Sequence, residues 1–151
     1  MKKKKIEIKT KLINHLIIKG KKNKSETLTL KSLKTLQINS KKSSKKLFQL
    51  ALVASTPIFK INTITKKKQK KKKQRSKIIP AFISDKTSRI SFAIRFIIKT
   101  TNKNRNSLFY RTLSEEILMS AQNKSQTIET KKENQKQVFA NRHLFKYYRW
   151  H

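Results

Sequence analysis

Ile58-Phe59-Lys60-Ile61-Asn62-Thr63-Ile64-Thr65, then Lys66-Lys67-Lys68-Gln69-Lys70-Lys71-Lys72-Lys73-Gln74-Arg75, then Ile78-Ile79-Pro80-Ala81-Phe82-Ile83: this stretch decides the fold. Its outer runs are rich in branched and aromatic side chains, which pack well on a pleated backbone. Its middle holds eight cations in ten residues and no apolar side chain, so nothing there can enter a core. The stretch reads as two strands joined by a cationic tip. Like charges spaced this closely repel, so the tip is expected to be splayed in free solution. Asp85 and Thr87 then lead into a helix over about Thr87 to Lys99. Ile90, Phe92, Ala93, Phe96 and Ile97 face inward, with Arg89 and Arg95 on a different arc.

Working outward toward the N-terminus, residues 1–11 read as a basic arm and 12–151 as a single domain, with the hairpin over 57–84. Leu12, Ile13, Leu16 and Ile17 fall on one helical face, with Gly20 as its C-cap. Ser25 is the expected N-cap of a second helix carrying Leu28, Leu30, Leu33, Leu36 and Ile38. Leu47, Phe48, Ala51 and Leu52 make a third helical face, which Pro57 closes. After the hairpin and the fourth helix, Leu108, Leu113, Ile117, Leu118 and Ala121 predict a fifth. A sixth spans about Gln126 to Tyr148 and ends in aromatic residues expected to pack. The expected fold is therefore mainly α: a six-helix body with a β-hairpin protruding between the third and fourth helices. With a single Gly, turns fall to Asn and Ser, at Asn23, Asn39-Ser40, Asn102 to Asn106 and Asn123.

The charge narrows the function. Forty Lys plus Arg stand against seven Asp plus Glu, a net +33 over 151 residues. Self-repulsion of that size opposes an isolated compact state. Nucleic acid supplies matching phosphates about every 3.4 Å along a strand, and binding releases their counterions. The hydrophobic share of 35% predicts a thin core completed by a partner, while eight Phe, three Tyr and one Trp argue against pure disorder. The absence of Cys excludes disulfides and thiolate metal sites. The longest uncharged run, Leu47 to Phe59, is too short for a membrane span. Lys2 to Lys5 are followed by more charge, not by the apolar core of a secretory signal.

Catalytic chemistry has no convergent set to rest on. His15, His143 and His151 are scattered, and His15 amid lysines reads as a surface or RNA-facing residue. Glu115 and Glu116, adjacent on a helix, point apart and read as balancing Arg111 and Lys124. The only Gly rules out a phosphate-cradling Gly-rich loop. No enzyme activity and no cofactor or metal are expected.

The pieces in order resemble one family, the seventh small-subunit ribosomal protein in its bacterial and organellar form. Leu12-Ile13-Asn14-His15-Leu16-Ile17-Ile18-Lys19-Gly20-Lys21-Lys22 is similar to its opening helix, and Ile79-Pro80-Ala81-Phe82-Ile83 to its returning strand. Ala93-Ile94-Arg95-Phe96-Ile97-Ile98 resembles its fourth helix. Lys103, Arg105-Asn106 and Leu113-Ser114-Glu115-Glu116-Ile117 resemble the loop and helix that follow. Lys131, Glu133 and Ala140-Asn141-Arg142 resemble its last helix, and Tyr148-Arg149-Trp150 its aromatic finish. The tip departs from the family, which carries a Gly pair and fewer lysines there.

The resemblance implies direct binding to the head (3′ major domain) of small-subunit rRNA and nucleation of head assembly. It also implies a hairpin reaching toward the exit-site tRNA and the mRNA exit path, with head and platform ribosomal proteins as neighbours. Lysine acts as a flexible point charge for phosphate, whereas the planar fork of Arg suits paired and stacked contacts. Lys2, Lys3, Lys4, Lys5, Lys9 and Lys11 are thus assigned to an arm along the rRNA backbone, and Lys21, Lys22 and Lys24 to a grip at the first helix junction. Arg89, Arg95, Lys103, Arg105 and Arg111 form the face that reads folded RNA, and Arg142 joins the rRNA-binding set. Lys66, Lys67, Lys68, Lys70, Lys71, Lys72, Lys73 and Arg75 are assigned to the tRNA and mRNA side. Lys, Ile and Asn richness with scarce Gly is what A+T-rich coding produces, so the expected location is a mitochondrial small subunit, with plastid or bacterial cytoplasm as alternatives. A non-specific nucleic-acid-condensing protein is the competing reading of the charge. A membrane-surface protein is disfavoured by the several distinct apolar faces.

Overall fold

Leu113 and Ile117, one helical turn apart, have no exposed surface, and the rest of the chain is arranged around them. The computed structural model describes residues 8–40, 42–65, 76–103 and 108–147. In chain order these form α1 (Ile8–Leu16), α2 (Lys22–Ser40), α3 (Ser44–Ser55), β1 (Phe59–Thr65) and β2 (Ser76–Phe82). There follow α4 (Lys86–Lys103), α5 (Phe109–Ala121), α6 (Gln126–Ala140) and a 3-10 helix (Arg142–Tyr147). Six α-helices with a two-stranded antiparallel hairpin between the third and fourth is the architecture expected from the sequence. Helix α5 packs against α2, α3, α4 and α6, while α1 lies across α2 and α4. The core joins Leu12, Leu36, Leu47, Phe48, Leu52, Ile94, Ile97, Leu113 and Ile117. Burial of each such side chain stabilises by about 1.5–3 kcal/mol.

Between these aliphatic residues the helices meet on buried hydroxyls. On α2 the buried residues are Ser25, Thr29, Ser32 and Leu36, spaced four, three and four apart. Each hydroxyl bonds back into its own helix: Ser25 to the Lys22 carbonyl at 2.7 Å, Thr29 to Ser25 at 2.7 Å, Ser32 to Thr29 at 2.8 Å. A hydroxyl satisfied this way can be buried without a partner across the seam. Leu30 and Ile38, which the sequence places on this helix with Leu28, Leu33 and Leu36, are 52% and 67% exposed. The leucine pattern misleads there because the small hydroxyl residues hold the buried stripe.

Helix α6 is attached differently. Thr127 is fully buried. Its N–H and hydroxyl both donate to the Glu116 carboxylate on α5, and its hydroxyl lies 2.8 Å from that of Thr100 on α4. Ser125 is the N-cap of α6: its Oγ accepts from the Ile128 N–H at 3.3 Å and from the Ser120 hydroxyl at 2.9 Å. Glu116 therefore ties helices together; it was expected to balance Arg111 and Lys124. The Lys131 ammonium, its pKa lowered by burial, donates to the Ala54 carbonyl at the end of α3 at 2.7 Å.

The hairpin pairs Phe59 with Phe82 and continues through Ile61–Pro80 and Thr63–Ile78 to Thr65–Ser76. Pro80, which has no N–H to donate, is tolerated because a two-stranded sheet has an unpaired edge on each side. The base of the hairpin is clamped by the C-terminal part of the chain. Phe59 packs edge-on against Phe82 and Phe139, with centroids at 6.0 and 6.4 Å, and lies 5.6 Å from Phe145. The chain reaches this cluster because α6 stops at Ala140, short of the expected Tyr148. The Asn141 side chain donates to the Gln137 carbonyl at 2.9 Å, and the 3-10 turn then brings Phe145 back. The aromatic finish at 148–150 lies outside the described residues.

Three other expected boundaries move. Helix α1 starts at Ile8 and ends at Leu16, so Gly20 is not its C-cap; Lys19 (φ 51) and Gly20 (φ 72) form a left-handed turn between α1 and α2. A Cβ on Gly20 would meet nothing within 4 Å, so the φ alone favours Gly there. Ser25 lies inside α2, which starts at Lys22, so it bonds back rather than capping. Asn23, Asn39 and Asn102 are helical, whereas Asn123 does adopt a turn with φ 61. At α4 the cap is Asp85. The Thr87 and Ser88 hydroxyls and N–H groups all donate to its carboxylate and hold it well below the usual carboxylate range.

Candidate nucleic-acid interface

The left-handed turn at Lys19-Gly20 throws three lysines around one opening. Lys19, Lys21 and Lys24 line a cleft of about 530 Å³ with His15, Asn102, Ser25, Leu16, Leu28, Ile98 and Phe109. Four elements meet here: the end of α1, the first turns of α2, the last turns of α4 and the start of α5. The floor is apolar, made of half-buried Leu16, Leu28, Ile98 and Phe109. The rim is cationic and exposed. On α4, Arg95, Ile98 and Asn102 succeed one another at three and four residues, so Arg95 continues the same stripe beyond the cleft.

The electrostatics follow from this crowding. His15 is half-buried, and its pKa is lowered below 6.5 first by desolvation, then by the nearby charges of Arg95 and Lys11. Positive neighbours oppose a further proton. The cleft is thus a cationic mouth over an apolar floor, a shape and polarity that suit an anion carrying a flat apolar ring. Among the described residues no group of His, Asp and Glu could hold a metal ion. No described helix is long and apolar enough to cross a membrane.

The expected site residues separate in this frame. Lys21 and Lys24 are on the cleft; Lys22 is beside it, 3.7 Å from Glu26 in an exposed ion pair, the kind of pair that contributes little to stability. Arg95 and Lys103 are exposed on α4 and Lys9 on α1. Lys11 turns inward, its Nζ donating to the Thr87 carbonyl at 2.9 Å. Arg89 also turns inward: its Nε donates to the Ile83 carbonyl at 2.6 Å and its guanidinium carbon stands 5.1 Å from the centre of the Phe82 ring. It fastens the hairpin to α4. Arg111 is exposed near Tyr110, 5.9 Å from the ring centre, and Arg142 is exposed at the start of the 3-10 helix. Lys2 to Lys5, Lys66 to Arg75 and Arg105 lie outside the described residues.

Reading by residue type missed Lys19, Asn102 and Phe109. The signal for Lys19 was present: the chain's single Gly is flanked by lysines, so the turn that needs Gly must display them. Asn102 and Phe109 carried no local signal, because only the packing of α1 on α2 and α4, and of α5 on the same two helices, brings them to the same opening.

The family model described as ribosomal protein S7p/S5e matches residues 1–142. The chain is also similar to the small ribosomal subunit protein uS7 of the bacterium Wigglesworthia glossinidia brevipalpis. The two are 28% identical over 144 residues, covering 95% of this chain and 87% of that one. A basic six-helix body, a hairpin between its third and fourth helices and a family match over nearly the whole length agree: the chain belongs to the ribosomal protein S7p/S5e family and is a structural, non-enzymatic protein of the small ribosomal subunit.

Proposed function

We propose that this protein binds small-subunit rRNA directly, organises the 3′ major domain that forms the head, and lays its hairpin tip near the exit-site tRNA and the mRNA exit path. The observation that carries this reading is the cationic mouth shared by α1, α2, α4 and α5, on a chain with net charge +33. The proposed rRNA contacts are Lys2 to Lys5 and Lys9 in the arm, Lys21, Lys22 and Lys24 at the helix junction, and Arg95, Lys103, Arg105, Arg111 and Arg142 on the body. Lys11 and Arg89 contribute chiefly by placing α1 and the hairpin, since each already donates to a backbone carbonyl. Lys66 to Arg75 neutralise backbone charge on the tRNA and mRNA side.

The test is filter binding to a head-domain fragment of rRNA against a plain RNA duplex, over a salt series. Preference for the head fragment supports the reading. Equal affinity for both overturns it in favour of a general condensing protein. Arg95→Ala is expected to weaken head-fragment binding by about 1–3 kcal/mol. Shortening 66–75 is expected to spare head assembly and alter exit-site tRNA retention. The compartment we propose is the mitochondrion, on the Gly-poor, Lys-, Ile- and Asn-rich composition; the bacterial relative supports the bacterial alternative. Co-sedimentation with small subunits from purified mitochondria decides for the former, and recovery only from plastid or bacterial subunits decides against it.

A further inference from the structure

We propose that the cleft between the α1–α2 turn and the adjoining ends of α4 and α5 takes one unstacked nucleobase of the bound rRNA. Leu28, Ile98 and Phe109 hold the ring, Asn102 faces its polar edge, and Lys19 and Lys21 hold the adjoining phosphates. The inference rests on the rRNA-binding reading above and goes beyond it by naming the recognised unit. Three observations carry it.

The first is size: about 530 Å³ falls among clefts that enclose small organic molecules, and a phosphate alone needs no such depth. The second is polarity. A surface meant only to track a phosphate backbone needs cations, not a floor of leucine, isoleucine and phenylalanine. Bases splayed from single-stranded segments seek apolar and aromatic surfaces of this kind. The third is the placing of polar groups. Asn102 offers an amide that both donates and accepts, and His15, held toward its neutral form, keeps one donor and one acceptor nitrogen. The three lysines offer donors only, which suits phosphate. Base stacking here and charge at the rim are thus separate contributions, and they can be separated by substitution.

The experiment uses the full chain with two RNAs: the head-domain fragment and a blunt RNA duplex lacking unpaired bases. Asn102→Met removes the amide and narrows the cleft from its exposed rim with a longer, non-aromatic side chain, without cutting the core, and Phe109→Leu removes the aromatic ring from the floor. Each is expected to weaken head-fragment binding roughly tenfold, the order of one lost base–aromatic contact. Duplex affinity and the salt slope should stay unchanged. Lys19→Gln and Lys21→Gln should instead weaken both RNAs and lower the salt slope by about one each. Thermal melting confirms the fold of each variant, and exposed Asn102 keeps the test decisive even if Phe109→Leu unfolds. If the wild type prefers the head fragment but Asn102→Met binds it equally well, the nucleobase site is overturned and general rRNA binding stands. If the wild type shows no preference, the rRNA reading itself has failed.

Discussion

The faces that bury α2 and α6 both use hydroxyl groups, yet they hold their helices by different means. On α2, Ser25, Thr29 and Ser32 each donate to a carbonyl of their own helix, so among the described residues the seam is specified by size and not by partners. On α6, Thr127 bonds to Glu116 of α5 and lies within hydrogen-bond distance of Thr100 of α4, so that seam is specified by partners. The same residue type therefore serves as a spacer in one place and as a key in the other. Which role it plays depends on whether its proton stays within the helix or leaves it.

Several substitutions break or sharpen this contrast. The largest effect sets the scale: Leu113→Ala, in the helix that both seams share, should cost about 2–5 kcal/mol in urea unfolding, because a fully buried site leaves a cavity. Next, Thr127→Val should cost about 1.5–3 kcal/mol, because the half-buried Glu116 carboxylate loses one of its two donors and Thr100 its hydroxyl partner. The near-isosteric Thr29→Val should cost about 1 kcal/mol or less, since its carbonyl keeps the helix's own N–H. Equal costs for the two valine variants would erase the distinction. Ser125→Ala should cost about 1 kcal/mol, as loss of a helix N-cap does, and should reduce amide protection in the first turn of α6 rather than in α2.

The smallest effect is a pH dependence at the cationic cleft. The pKa of His15 is lowered in the folded protein relative to 6.5, so below that pH the unfolded chain takes up the proton first. Stability should therefore decline as pH falls from about 6.5 and level off once folded His15 is protonated too. His15→Gln should flatten that segment of the pH profile. A wild-type profile already flat there would mean that neither burial nor the charges of Arg95 and Lys11 bear on the imidazole.

The aliphatic half of the fold was legible in the sequence, because Leu, Ile and Phe at helical spacing announce a buried face. Leu12, Leu47, Phe48, Ala93, Ile97, Leu113 and Ile117 all lie where the spacing put them, and the hairpin announced itself by its alternating flanks. The hydroxyl half was not legible. Ser and Thr look the same in sequence whether they face water, bond back to a turn or reach another helix, so the leucines and isoleucine of α2 do not by themselves show which of its faces is buried. The cleft was half legible. Lys21 and Lys24 stood out by charge and position, but Arg89 looks like Arg95 in sequence, and only the returning strand shows that it is committed to the Ile83 carbonyl.

The inward bonding of the α2 hydroxyls has a consequence for how such a chain can drift. Where no atom across the seam depends on the oxygen, Ser can give way to Ala and Thr to Val of like size, and nucleotide bias can choose between them without the neighbouring helix needing to answer. Thr127 enjoys no such liberty, since its replacement must be matched on two other helices at once. Divergence in this lineage should therefore collect along α2 and spare the small polar knot that anchors α6.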